Sequence, residues 1–74
     1  MAELNKIYIG RLSRSVKESD LQSEFSKFGK VKDIELRSSY AFLSFESESE
    51  AKEAAAEMDG KTIEDSRIVV QLKG

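Results

Sequence analysis

The side chains of this chain that could do chemistry are aromatic and suited to contact rather than catalysis. Successive side chains of a strand point to opposite faces. In Ser38-Ser39-Tyr40-Ala41-Phe42-Leu43-Ser44-Phe45, that alternation puts Ala41, Leu43 and Phe45 on one face and Tyr40, Phe42 and Ser44 on the other. The first set is an ordinary apolar core face. The second places two rings where an exposed sheet face should be polar. A similar arrangement occurs in Ile7-Tyr8-Ile9-Gly10-Arg11-Leu12, where Ile7 and Ile9 share one face and Tyr8 takes the other. Catalytic groups are scarce. The chain has neither Cys nor His, which removes disulfides and thiolate or imidazole metal sites and leaves Ser, Thr and Lys without their usual base partner. Its four glycines, at positions 10, 29, 60 and 74, are too scattered to form a phosphate-cradling loop. These features give no reason to expect an enzyme, a metal or a cofactor.

The elements that must position those rings follow from hydrophobic period. Met1 to Asn5 reads as a loose lead-in. Lys6 to Leu12 alternates as a strand, and Gly10 marks a bulge or a place where something approaches the backbone closely. From Glu18 to Phe28 the period changes. Leu21, Phe25 and Phe28 fall at i, i+4 and i+7, one stripe of a helix. Its start has two readings: a Ser15–Glu18 capping box, or a Lys17 cap with Asp20 at the third helical position and a Val16–Leu21 staple. Gly29 reads as a left-handed stop. Val31 to Arg37 is a second strand with Ile34 and Leu36 inward, and Val31, out of step by one, predicts an irregularity between them. The short Arg37-Ser38-Ser39 link implies an antiparallel hairpin.

Ser47 to Glu50 reads as a capping box for a second helix, with Ala51, Ala54, Ala55 and Met58 on one stripe and Gly60 at its end. Small alanines there predict close packing on a sheet. Lys61 to Ser66 reads as a polar loop anchored by Ile63. Ile68 to Lys73 is a last strand, with Ile68, Val70 and Leu72 inward and Val69, Gln71 and Lys73 outward. The order β-α-β-β-α-β is the split βαβ arrangement, an α+β ferredoxin-like fold. Two helical stripes and four strands share one core only if both helices cover the same face of the antiparallel sheet. The opposite face, carrying Tyr8, Tyr40 and Phe42, then stays open to water.

With 74 residues the chain is one small domain, spanning 1–74 and near the lower limit for folding on a core alone. Its apolar runs are only a few residues long, which predicts no membrane span or signal peptide and makes a soluble intracellular setting the default. A net charge of −2 is unfavourable for a polyanionic partner. The distribution softens that objection. Eight of the fourteen acids but only two of the twelve bases fall in residues 46–65, which leaves six acids and ten bases elsewhere.

These motifs resemble those of the RNA recognition motif family. The family's hexamer is aliphatic-aromatic-aliphatic-x-Asn-Leu, and Ile7 to Leu12 matches it except that Arg11 stands at the Asn position. Its octamer is Lys/Arg-Gly-Phe/Tyr-Gly/Ala-Phe/Tyr-aliphatic-x-Phe/Tyr. Ser38 to Phe45 satisfies the last six positions, while Ser38 and Ser39 replace the basic residue and the glycine. The likeness also covers Phe25 to Gly29 and Met58 to Gly60. The Gly10-Arg11-Leu12 ending, the short hairpin and Ser66 to Val70 most resemble the first such domain of serine/arginine-rich splicing factors, whose serine/arginine-rich tail would lie beyond Gly74.

The resemblance implies roles for particular residues. Tyr8 and Phe42 would each stack a base, and Tyr40 would pack against sugar or span two nucleotides. A flat ring on a rigid strand is worth roughly 1–3 kcal/mol per stacked base, and bases must be unstacked to be held so, which makes the ligand single-stranded RNA. Arg11, Arg37 and Lys73 are candidates for phosphate contacts and Gln71 for a base edge. Asp33 and Glu35, if outward, would repel the RNA backbone but could accept from base amino groups. The expected function is single-stranded RNA binding in pre-mRNA splicing or mRNA processing, by a monomer located in the nucleus and open to shuttling to the cytoplasm. The other reading is a protein-interaction module of the same fold, motivated by the acidic balance and the two serines. Helix faces in the family also dock protein partners.

Overall fold

A computed structural model describes residues 5–73, so the lead-in Met1 to Leu4 lies outside the described residues. Asn5 is not loose. Its backbone carbonyl accepts from the Phe45 amide at 2.8 Å, and its side-chain amide donates to the Phe45 carbonyl at 2.6 Å. The regular elements are β1 (Lys6–Gly10), α1 (Glu18–Phe25) continued by a 3-10 turn (Ser26–Phe28), β2 (Val31–Leu36), β3 (Ala41–Phe45), α2 (Glu48–Met58), β4 (Thr62–Ile63), β5 (Ser66–Arg67) and β6 (Val69–Lys73). Four strands form one antiparallel sheet in the order β2-β3-β1-β6, with β1 and β3 at its centre. This is the ferredoxin-like arrangement, with β4 and β5 added as a separate two-stranded ribbon.

Helix ends follow local chemistry. Of the two readings for α1, the structure has Lys17 at the cap: the Lys17 amide donates to the Asp20 carboxylate at 3.0 Å, and Val16 and Leu21 are both buried. Ser47 caps α2 by accepting from the Glu50 amide at 3.4 Å. No bond runs from the Ser47 amide to the Glu50 side chain among the described residues, so only half of the expected box forms. The Glu50 carboxylate instead packs against Gly29, where a β-carbon would overlap it, and its Oε1 is buried without a partner. A side chain at Gly29 would therefore force the end of the Glu50 side chain to move. Its φ of 163° is extended backbone and not the expected left-handed stop. Gly60, at φ +86°, is the residue that needs left-handed freedom.

Both helices cover one face of the sheet. Leu21 and Phe25 of α1 and Ala51, Ala54 and Met58 of α2 join Ile7, Ile9, Ala41, Leu43, Phe45 and Val70 in a single core. The two fully buried alanines let α2 lie close to the strands, as their size predicts. Phe28 packs at the margin of this core, 6.5 Å from Phe25 between ring centroids. The irregularity expected in β2 is a register shift between Val31 and Asp33.

One expectation fails at the end of the chain. The stretch read as a polar loop forms the β4–β5 ribbon, turned by Glu64 and Asp65 at φ of 50° and 66°. Leu72 is inward as expected, on the same face as its register partner Ile7, but it is 37% exposed, because β6 is an edge strand and the core does not extend to its end.

Candidate nucleic-acid interface

The uncovered face of the sheet is built by register. Tyr8 stands opposite Phe42 on β3 and opposite Gln71 on β6, while Phe42 stands opposite Glu35 on β2. One row across the sheet therefore reads Glu35, Phe42, Tyr8, Gln71. The adjacent row reads Asp33, Ser44, Lys6, Lys73. Tyr40 precedes the first residue of β3 and stays in the hairpin, its carbonyl accepting from the Arg37 amide at 2.8 Å. Only Ser38 and Ser39 lie between that bonded pair, the short antiparallel link the sequence implies.

The three rings meet. Centroid separations are 5.7 Å for Tyr8–Phe42, 6.2 Å for Tyr8–Tyr40 and 5.9 Å for Tyr40–Phe42, all within the range of attractive aromatic pairs. Their planes are inclined by 57°, 31° and 83°, so the surface is continuous but faceted rather than flat. Tyr40 is 38% exposed, and Tyr8 and Phe42 are half-buried.

Gly10 explains how Tyr8 lies. A β-carbon at Gly10 would come within 2.7 Å of the Tyr8 hydroxyl and 2.8 Å of its ring. The close approach that the sequence suggested at Gly10 is thus by the chain's own tyrosine, folded down over the bare backbone two residues on. Glycine here is a steric requirement of the ring's position.

The charged and polar candidates are more dispersed. Gln71 and Lys73 are exposed on β6, beside Tyr8 and Lys6 respectively. Arg11 is exposed just past β1 with φ +61°, left-handed backbone that costs a side chain such as arginine roughly 1–2 kcal/mol. Asparagine tolerates that conformation far better, which gives a physical reason for the hexamer's usual residue at this position. The next amide, of Leu12, donates to the Ser39 carbonyl at 2.8 Å and ties this loop to the β2–β3 hairpin. Arg37 does not project freely: its guanidinium donates to the Glu35 carboxylate at 2.7 Å, a pair more than half exposed at both ends.

Sequence reasoning passed over Lys6. Its ammonium sits 6.0 Å from the Phe42 ring centroid, at the outer limit of a cation–π contact. The signal was available, since Lys6 shares strand parity with Tyr8. Among the described residues, no group of three or more His, Cys, Asp or Glu side chains is placed to hold a metal ion. No described helix is long and apolar enough to cross a membrane.

Comparison with known proteins agrees with this geometry. The sequence profile described as RNA recognition motif matches residues 7–69. Similar curated proteins include the serine/arginine-rich splicing factor RS2Z32 of Arabidopsis thaliana, 36% identical over 66 residues that cover 89% of this chain and 23% of that protein. Serine/arginine-rich splicing factor 5 of Mus musculus is 32% identical, again over 89% of this chain and 24% of its own length. The chain thus spans about a quarter of the length of these relatives. Among solved structures, Pes4 RRM3 superposes with a TM-score of 0.91 at 21% identity, covering 95% of this chain and 92% of that one. The Nab3 RRM, studied for its recognition of non-polyadenylated RNAs, gives 0.89 at 18% identity, with 97% of both chains covered. At these identities the superpositions speak for the fold. On its sequence profile, its relatives and its βαββαβ sheet, this chain belongs to the RNA recognition motif family.

Proposed function

We propose that residues 1–74 act as one single-stranded RNA-binding domain, with bases stacked on Tyr8 and Phe42 and Tyr40 packed against a sugar or between two nucleotides. The observation that carries this reading is the cluster of three rings, each about 6 Å from the others, on the sheet face that neither helix covers. Tilted facets suit single strands, whose unstacked bases can each adopt their own inclination. Arg11, Lys73 and Lys6 would meet phosphates around the rings, and Gln71 a base edge beside Tyr8. Arg37 would act through its pairing with Glu35 as much as on phosphate. The likeness to serine/arginine-rich splicing factors supports a place in pre-mRNA splicing, hence in the nucleus with shuttling to the cytoplasm, for a monomeric and non-catalytic domain.

The test is titration of the chain with short fluorescent single-stranded RNA, with binding read by anisotropy at several salt concentrations. Tyr8→Ala and Phe42→Ala should each weaken binding by about 1–3 kcal/mol, while circular dichroism shows the fold intact. Unchanged affinity in both folded variants refutes the stacking mechanism. Absence of any salt-sensitive binding by the unaltered chain favours use of the fold to hold a protein partner, through the sheet or the helical face.

A further inference from the structure

The row of residues across the sheet ends, on its β2 side, in an acid. Glu35 is the register partner of Phe42, and it points to the same open face. Partners of this kind hold their β-carbons roughly 4.5–5.5 Å apart. A base stacked on Phe42 lies roughly 3.5 Å above that ring at van der Waals contact. Its outer edge on the β2 side therefore comes level with the Glu35 carboxylate, which rises from the neighbouring strand.

That carboxylate has one partner, in an exposed pair. Arg37, two residues along the same strand face, donates to Glu35 Oε2 at 2.7 Å. The pairing orients the group and offsets the repulsion that a bare carboxylate would exert on a polyanion. It also leaves acceptor capacity. An ionised carboxylate has about four lone-pair sites on two oxygens and no donor, and among the described residues no hydrogen bond falls on Oε1. Whatever approaches this position must bring donors.

Resting on the RNA-binding reading above, the geometry points to Glu35 as a specificity-determining residue that selects guanine for the nucleotide stacked on Phe42. Guanine alone among the four bases presents two adjacent donors, N1–H and N2–H, on its Watson–Crick edge, and these match the two oxygens of a carboxylate. Adenine and cytosine offer one amino group next to a ring-nitrogen acceptor. Uracil offers a single N3–H flanked by two carbonyl oxygens, which face the carboxylate with like charge. Asp33, the next acid on β2, stands opposite Ser44, which has no ring for a base to rest on.

The experiment compares the oligonucleotides UUUGUUU, UUUIUUU (I, inosine) and UUUUUUU on the unaltered chain and on Glu35→Gln. Inosine keeps N1–H and lacks the N2 amino group. The unaltered chain should bind the guanine oligonucleotide about fivefold or more tightly than oligouridine, as a good two-point base contact gives, and should lose most of that advantage with inosine. In Glu35→Gln, whose exposed position leaves the fold intact, the three affinities should converge within about twofold. Equal binding of guanine and uracil oligonucleotides by the unaltered chain overturns the inference, as does a preference retained in Glu35→Gln. Either result leaves RNA binding itself standing. Failure of the unaltered chain to bind any of the three, or any short random RNA, overturns both readings together.

Discussion

Replacing Gly10 with alanine separates the position of the Tyr8 ring from its presence. The added methyl would lie 2.7 Å from the Tyr8 hydroxyl and 2.8 Å from the ring edge. Ordinary carbon contacts need roughly 3.5–4.0 Å, so the ring must lift or swing by about 1 Å. It can do so, because the clash is with the far end of a side chain and not with backbone. The Gly10 backbone does not use positive φ, so alanine can adopt it. The strand should even gain about 0.4–1 kcal/mol from a less flexible unfolded chain. Against this, a tyrosine moved off its seat should lose a large part of a stacking contact worth about 1–3 kcal/mol. Gly10→Ala should therefore melt at an equal or higher temperature yet bind single-stranded RNA several-fold more weakly. A double-mutant cycle sharpens the test. In a Tyr8→Ala background the ring is absent, and adding Gly10→Ala should cost no further affinity. Two results refute the reasoning: undiminished binding by Gly10→Ala, or the same loss whether or not Tyr8 is present.

Two further variants probe the scaffold. Phe25→Ala removes one of the two fully buried side chains by which α1 joins the core and should cost about 3–5 kcal/mol, enough to leave so small a domain largely unfolded by circular dichroism at room temperature. Glu64→Asn with Asp65→Gly supplies the residues that tolerate the observed φ of 50° and 66°, and should raise denaturant stability by about 1 kcal/mol without changing RNA affinity.

Much of the candidate site was legible because strand parity is strict. Tyr8, Tyr40 and Phe42 had to share a face once Ile7, Ile9, Ala41 and Leu43 were assigned to the core, and the shared face of the helices left theirs open. The same parity puts Lys6 on the face of Phe42 and Glu35 two residues from Arg37, contacts that no single charge reveals apart from its strand neighbours. The β4–β5 ribbon was hidden for a different reason. Its turn consists of Glu64 and Asp65, where the Asn-Gly or Asp-Gly signal of such a turn is missing. Nor could local sequence reveal what Gly29 does. Its close neighbour is the Glu50 side chain, which reaches it from the other helix, and only the assembled core brings the two together.

The register shift at Val31 and Asp33 also decides what the molecule does at its border. β2 is an edge strand, and a straight edge strand is a template on which a second chain can add itself. Here the border is bent by the extra residue, and charged side chains line it at Lys32, Asp33 and Glu35. An incoming strand would have to reproduce that bend and solvate or match each charge in turn. The β2 edge is thus a poor template for sideways growth into a larger sheet, even while three aromatic rings stay uncovered on the broad surface.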